Sequence, residues 1–152
     1  MDTIETTDHR PSETGAPRFD TKLVVILRDD LATWQKLNAT LFLVSGIAAT
    51  DPATVGEPYE DAAGGRYLPM FRQPGLVFAA SGADLRRAFD RATQRDVALA
   101  VFIDELFETA HDGANRAAVR SVQRDDLSLV GIAFRTDRRI ADKVTKGLTL
   151  HE

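Results

Sequence analysis

Apolar residues fall along this chain in short blocks, some continuous and some spaced three and four apart, and the blocks predict the order of elements. Lys22-Leu-Val-Val-Ile-Leu-Arg28 is apolar throughout between charged ends, the pattern of a central strand covered on both faces. Asp30 then fits an N-cap. Beyond it Trp34, Leu37, Leu41 and Val44 share one helical stripe that Leu43 and Ile47 widen, so this helix is expected to be largely buried and to stop near Gly46. Between Asp51 and Pro74, Glu57-Pro-Tyr-Glu60 and Arg66-Tyr-Leu-Pro-Met-Phe71 flank Asp61-Ala-Ala-Gly-Gly65, and the paired glycines predict a hairpin or ordered excursion.

Gly75-Leu-Val-Phe-Ala-Ala80 reads as a second buried strand. Ser81 and Asp84 have capping-box spacing ahead of a helix whose Leu85, Ala88, Phe89 and Ala92 form one core face. The opposite face carries Arg86, Arg87, Asp90, Arg91 and Arg95, which reads as a solvated face partly paired through Arg86 and Asp90 rather than as a track for phosphates. Val97 to Ile103 predicts a third strand ending at Asp104. Asp112 suits the cap of a short helix through Val119 and Val122, and Leu127 to Phe134 predicts a fourth strand. Thr136 is placed to cap a last helix carrying Ile140, Ala141 and Val144, with Gly147 ending it and Leu148 and Leu150 packing on the body. Strands alternating with helices in this way imply a layered α/β sheet with helices on its faces.

Composition narrows the chemistry. No cysteine is present, which excludes disulfides, thiolate zinc sites and a cysteine nucleophile. Residues 1 to 17 hold Asp2, Glu5, Asp8 and Glu13 against Arg10 with almost nothing to bury, so they read as a disordered tail ahead of one domain over 18–152. That tail has neither signal-peptide nor transit-peptide character, and a cytoplasmic protein is the default. The net charge is −4, and the body without the tail is left at −1. A dedicated nucleic-acid binder would carry a broader basic footprint. The longest apolar stretch, Leu41 to Ala49, falls far short of the ~20 residues a spanning helix needs.

Individual residues add candidates. His111 beside Asp112 has the makings of a base oriented by a carboxylate, but no nucleophile stands at a matching spacing, and a histidine at a loop or helix start is the better reading. One central histidine among scattered acids forms no usual metal-ligand pattern, so neither metal nor cofactor is expected. Trp34 reads as core or pocket wall.

Two stretches carry a family resemblance. Lys22-Leu-Val-Val-Ile-Leu-Arg28-Asp29-Asp30-Leu31 followed by Lys36-Leu-Asn-Ala39 resembles the opening strand and first helix of the type II peptidyl-tRNA hydrolases. Leu129-Val-Gly-Ile-Ala-Phe134 through Ile140-Ala-Asp-Lys-Val-Thr-Lys-Gly147-Leu-Thr-Leu150 resembles their last strand, helix and Thr-Gly-x-Leu-x-Leu ending. More closely, Gly56-Glu-Pro-Tyr59, Arg66-Tyr-Leu-Pro-Met70 and His111-Asp-Gly-Ala-Asn-Arg116 resemble the bacterial family known as domain of unknown function 2000. The resemblance implies a three-layer α/β/α sandwich of the peptidyl-tRNA hydrolase II kind. It further implies a mixed sheet of about four main strands, with substrate bound where the first helix meets the sheet's edge.

Carried over residue by residue, the resemblance puts Lys36 on the hydrolases' catalytic lysine and Asp104 on their aspartate. Thr40 and Leu43 stand where they have glutamine and histidine, and Glu108, with Thr109 adjacent, stands where they have threonine. Lys36 and Asp104 are therefore the candidate catalytic pair, expected to face one pocket, with Thr40, Leu43, Glu108 and Thr109 as candidate ligand-binding residues. Leu43 can neither relay a proton nor donate a hydrogen bond, so authentic peptidyl-tRNA hydrolysis is not favoured. Lys36 reads equally as a solvated lysine, and Asp104 equally as the cap of the next turn. The expected activity is metal-independent ester or amide hydrolysis. The alternative is a non-catalytic domain binding a small ligand or a protein, the latter through the aromatic hairpin from Tyr59 to Phe71. A small ligand is the expected partner, tRNA is not favoured, and homo-oligomerisation is an open expectation.

Overall fold

The computed structural model describes residues 18–152; the expectation of a disordered tail over 1–17 lies outside the described residues. A mixed sheet of five strands organises the molecule: β1 (Thr21–Arg28), β4 (Gly75–Ala80), β5 (Ala100–Ile103), β6 (Leu129–Asp137) and β7 (Thr149–Leu150), with a separate two-stranded hairpin of β2 (Tyr59–Glu60) and β3 (Arg66–Tyr67). The order across the sheet is β5-β6-β1-β4-β7. β1 lies at its centre, parallel to β4 and antiparallel to β6, with Val25 opposite Val77 on one side and Ala133 on the other. β5 and β7 form the edges, antiparallel to β6 and β4.

The continuous apolar run of β1 is explained by helices on both faces. Leu23, Val25 and Leu27 point toward α1 (Thr33–Thr50), while Val24 and Ile26 point toward α2 (Gly82–Gln94) and α4 (Arg138–Val144), as the two-residue period of a strand requires. α2 has its core face as expected: Leu85, Ala88, Phe89 and Ala92 are buried, and Ser81 Oγ accepts from the Asp84 backbone N–H at 3.1 Å. A fourth helix, α3 (Asp112–Arg120), lies beyond the β5 edge and packs on the turn over 104–107.

Several local expectations are corrected. The residues that bury α1 are Ala39, Leu43 and Ile47, whereas Trp34, Leu37 and Leu41 are at least 60% exposed. The helix also runs past Gly46, whose missing side chain lets it approach β5: a Cβ there would lie 3.5 Å from that of Ala100. Its N-cap is Ala32, whose N–H donates to Gln35 Oε1, not Asp30. Asp137 rather than Thr136 caps α4, accepting from the Arg139 and Ile140 amides, and His111 rather than Asp112 caps α3. The fifth strand, β7, was not anticipated; Leu148 packs against the core, but Leu150 stays half exposed on the β7 edge. The hairpin forms as expected, with Gly64 at φ +85° in its turn and Asp61 accepting from Ala63 N, Gly65 N and the Tyr67 hydroxyl.

Candidate ligand cleft

Trp34, Asn38 and Phe42 stand four residues apart on α1 and so form a stripe along one flank of the helix, the flank that faces the β5 edge. Against it come Phe102 from β5 and Phe107 from the turn that follows. The four rings make a chain of contacts: Trp34 meets Phe107 edge-on at 5.6 Å between centroids, Phe107 meets Phe102 at 4.9 Å, and Phe102 meets Phe42 edge-on at 5.9 Å. Phe102 is buried as the floor, while Trp34 and Phe42 keep more than half of their surface free. A cleft of about 330 Å³ lies along these rings, closed on its far side by residues 109–112 and Asn115.

That far wall is polar. The Thr109 hydroxyl has two acceptors for its one proton, the Leu106 carbonyl at 3.0 Å and the side-chain amide of Asn115. One end of the Asn115 amide is thereby anchored. His111 Nδ1 accepts from the Ala114 backbone N–H at 3.1 Å, so the neutral imidazole carries its proton on Nε2. Asn38 makes no side-chain hydrogen bond among the described residues. Asp112 is the cleft's one formally charged lining residue, and its carboxylate is paired with Arg116.

Of the six residues carried over by the family resemblance, only Thr109 lines this cleft. Asp104 begins the turn after β5, where both its oxygens are held by Arg28 at 2.9 and 3.1 Å. Arg28 also donates to Asp30 at 2.6 Å and to the Leu129 carbonyl at 2.9 Å. The Asp104 hydrogen bond raises Arg28 above the ordinary guanidinium value, with partial burial opposing it, so the guanidinium stays charged. Lys36 sits on the other flank of α1, its Nζ 3.0 Å from His151 Nε2 beyond β7, and His151 Nδ1 lies 2.7 Å from the Glu152 carbonyl oxygen. No hydrogen bond or ion pair joins Lys36 to Asp104 among the described residues. Thr40 donates to the Lys36 carbonyl, Leu43 is core with 2% of its surface exposed, and Glu108 is an exposed residue ending the turn.

Two further cavities lie elsewhere. One of about 210 Å³ is lined by Gly46, Thr50, Asp51 and Arg135, with the last two paired at 2.6 Å. The other, about 410 Å³, lies beside the start of β1 and is lined by Arg18, Lys22, Gln73 and Arg138. Phe19 is the one aromatic residue lining the second and none lines the first, whereas Trp34, Phe42, Phe102 and Phe107 all line the α1–β5 cleft. Among the described residues no three histidine, aspartate or glutamate side chains converge as metal ligands would, and no helix is long and apolar enough to cross a membrane.

Comparison with known proteins adds a family and a structural relative. The model of the family described as "Protein of unknown function (DUF2000)" matches residues 21–152. A solved structure of a protein of unknown function from Agrobacterium tumefaciens strain C58 is similar at 49% sequence identity, with a TM-score of 0.86 over 89% of this chain and 100% of that one. No curated protein matches the chain.

Proposed function

The chain belongs to the DUF2000 family of proteins of unknown function, and on that footing we propose that it is a binding protein for a small, partly apolar molecule, held in the α1–β5 cleft. The observation that carries this reading is the convergence of aromatic rings from α1, β5 and the following turn with the Asn38, Thr109 and Asn115 side chains around one cavity. Ligand sites are typically concave and apolar with a few polar groups that fix orientation. The place agrees with the resemblance to the peptidyl-tRNA hydrolase II fold, which puts substrate where the first helix meets the sheet's edge. No lysine or arginine lines the cleft, which disfavours tRNA as its occupant.

The Asp104 carboxylate is committed to Arg28, and Leu43 is sealed in the core, so neither supplies the base or relay that hydrolysis needs. One contact favours metal-independent ester or amide hydrolysis as a second reading. His151 brings to Lys36 an imidazole that position 43 lacks, and the pair would act at the β7 side of α1.

Trp34 is the chain's one tryptophan, so its fluorescence reports on the cleft directly. A panel of small aromatic and aliphatic fragments is expected to change its emission saturably. Single-turnover assays with a peptidyl-tRNA and small aminoacyl esters are expected to show no cleavage. Cleavage that disappears in Lys36→Ala would instead establish the hydrolase, and loss in Asp104→Asn as well would join that residue to the site.

A further inference from the structure

We propose that the ligand of this cleft is uncharged and carries a primary carboxamide or ring lactam beside an aromatic or apolar group, read by Asn38. This rests on the cleft being the binding site. Charge comes first. The cleft offers no cationic side chain, and its one formal charge, Asp112, is already paired with Arg116, which leaves no free counter-ion of either sign. A carboxylate or phosphate entering it would lose water without gaining a counter-ion.

The hydrogen-bonding pattern narrows the class further. Asn38 lies midway between Trp34 and Phe42, which a helix separates by roughly 12 Å along its axis. A planar group over Asn38 therefore has an aromatic ring on either side along the helix, with Phe102 and Phe107 behind it. Along one edge the Asn38 amide presents its carbonyl oxygen and one N–H of its NH2 in a single plane, and no described residue engages either. A group with its own C=O and N–H side by side meets both at once, which a primary carboxamide or lactam does. An ester or a trans secondary amide lacks the adjacent N–H, and a carboxylate sets oxygen against oxygen. Asn115, anchored by Thr109, and the Nε2–H of His111 supply further polar contacts from the opposite wall. At about 330 Å³ the cavity is at the small end of ligand sites, the size for one ring rather than a nucleotide.

Benzamide, benzoate, N,N-dimethylbenzamide and toluene share one ring and differ only in these features. Each is titrated into the full chain while the single Trp34 indole N–H signal is followed by NMR. Benzamide is expected to shift it saturably, and benzoate and the dimethyl amide to bind at least about tenfold more weakly. Asn38→Ala, its melting temperature checked against the parent, is expected to weaken benzamide about tenfold and erase its advantage over benzoate. Equal binding of benzoate, or no effect of Asn38→Ala on benzamide, overturns the carboxamide assignment. A response to toluene alone overturns it too but leaves the cleft as a binding site, whereas no response to any compound removes both.

Discussion

Gly131 on β6 has three atoms waiting where a side chain would go: the Ile26 carbonyl oxygen, Leu27 Cδ2 and Leu43 Cδ1, each 3.0 Å from the place of a Cβ. The backbone oxygen cannot swing aside as a side chain can. Gly131→Ala is expected to lose about 1–3 kcal/mol in urea denaturation, and Leu43→Ala about 2–5 kcal/mol. The two changes together should cost less than their sum, because the shortened residue 43 removes one of the clashes. Arg28 is the polar counterpart, a guanidinium joining the ends of β1, β5 and β6. Arg28→Ala is expected to cost about 1–3 kcal/mol, since it strands the Asp104 carboxylate and the Leu129 carbonyl. In the hairpin, donation from the Tyr67 hydroxyl, then from the Gly65 and Ala63 amides, holds Asp61 below the ordinary carboxylate value. A depressed folded-state value means the contact contributes fully above about pH 4 and is lost as pH falls through the folded-state value. The Gly65 and Ala63 amide signals are expected to hold steady down to about pH 4 and to move only below it. Movement centred at about pH 4 or above would show the carboxylate to be unassisted.

At the scale of elements, the four main strands and α2 were legible because each has a single apolar pattern and one way to bury it. α1 was not. It is apolar on two sides, with Trp34, Leu37 and Leu41 on one and Ala39, Leu43 and Ile47 on the other, so periodicity alone does not choose between them. Size chooses: Ala39 and Gly46 let the helix come close to the sheet where larger residues would hold it off. Leu37→Ser and Leu41→Ser are accordingly expected to change stability by no more than about 0.5 kcal/mol, where core substitutions would cost several times that. The cleft was half legible by the same logic. Trp34 was readable as a pocket wall, and Thr109 came through the family resemblance. Asn38, Phe42 and Asn115 gain meaning only when α1 is set against the β5 edge and α3, a juxtaposition that spacing along the chain does not reveal. Lys36 and Asp104, the expected pair, each have a partner of their own, His151 and Arg28.

Across the whole molecule, β1 is the strand with neighbours on both sides over nearly its full length, while β7 contributes two residues and the hairpin pairs only with itself. Native-state hydrogen exchange is expected to be slowest at the β1 and β6 amides and fastest in β2, β3 and β7. Comparable protection in β7 would mean that the edge is held by more than its two-residue ladder. The same topology has a consequence for synthesis. β1 ends at Arg28 and its antiparallel partner does not begin until Leu129, about a hundred residues later. At roughly 5–20 residues per second, a ribosome leaves the central strand of this protein without that neighbour for about 5–20 seconds. The nascent chain therefore has α1 to lay over one side of the strand early, but its open edge invites chaperones, or other unfinished chains, until the last third has been made.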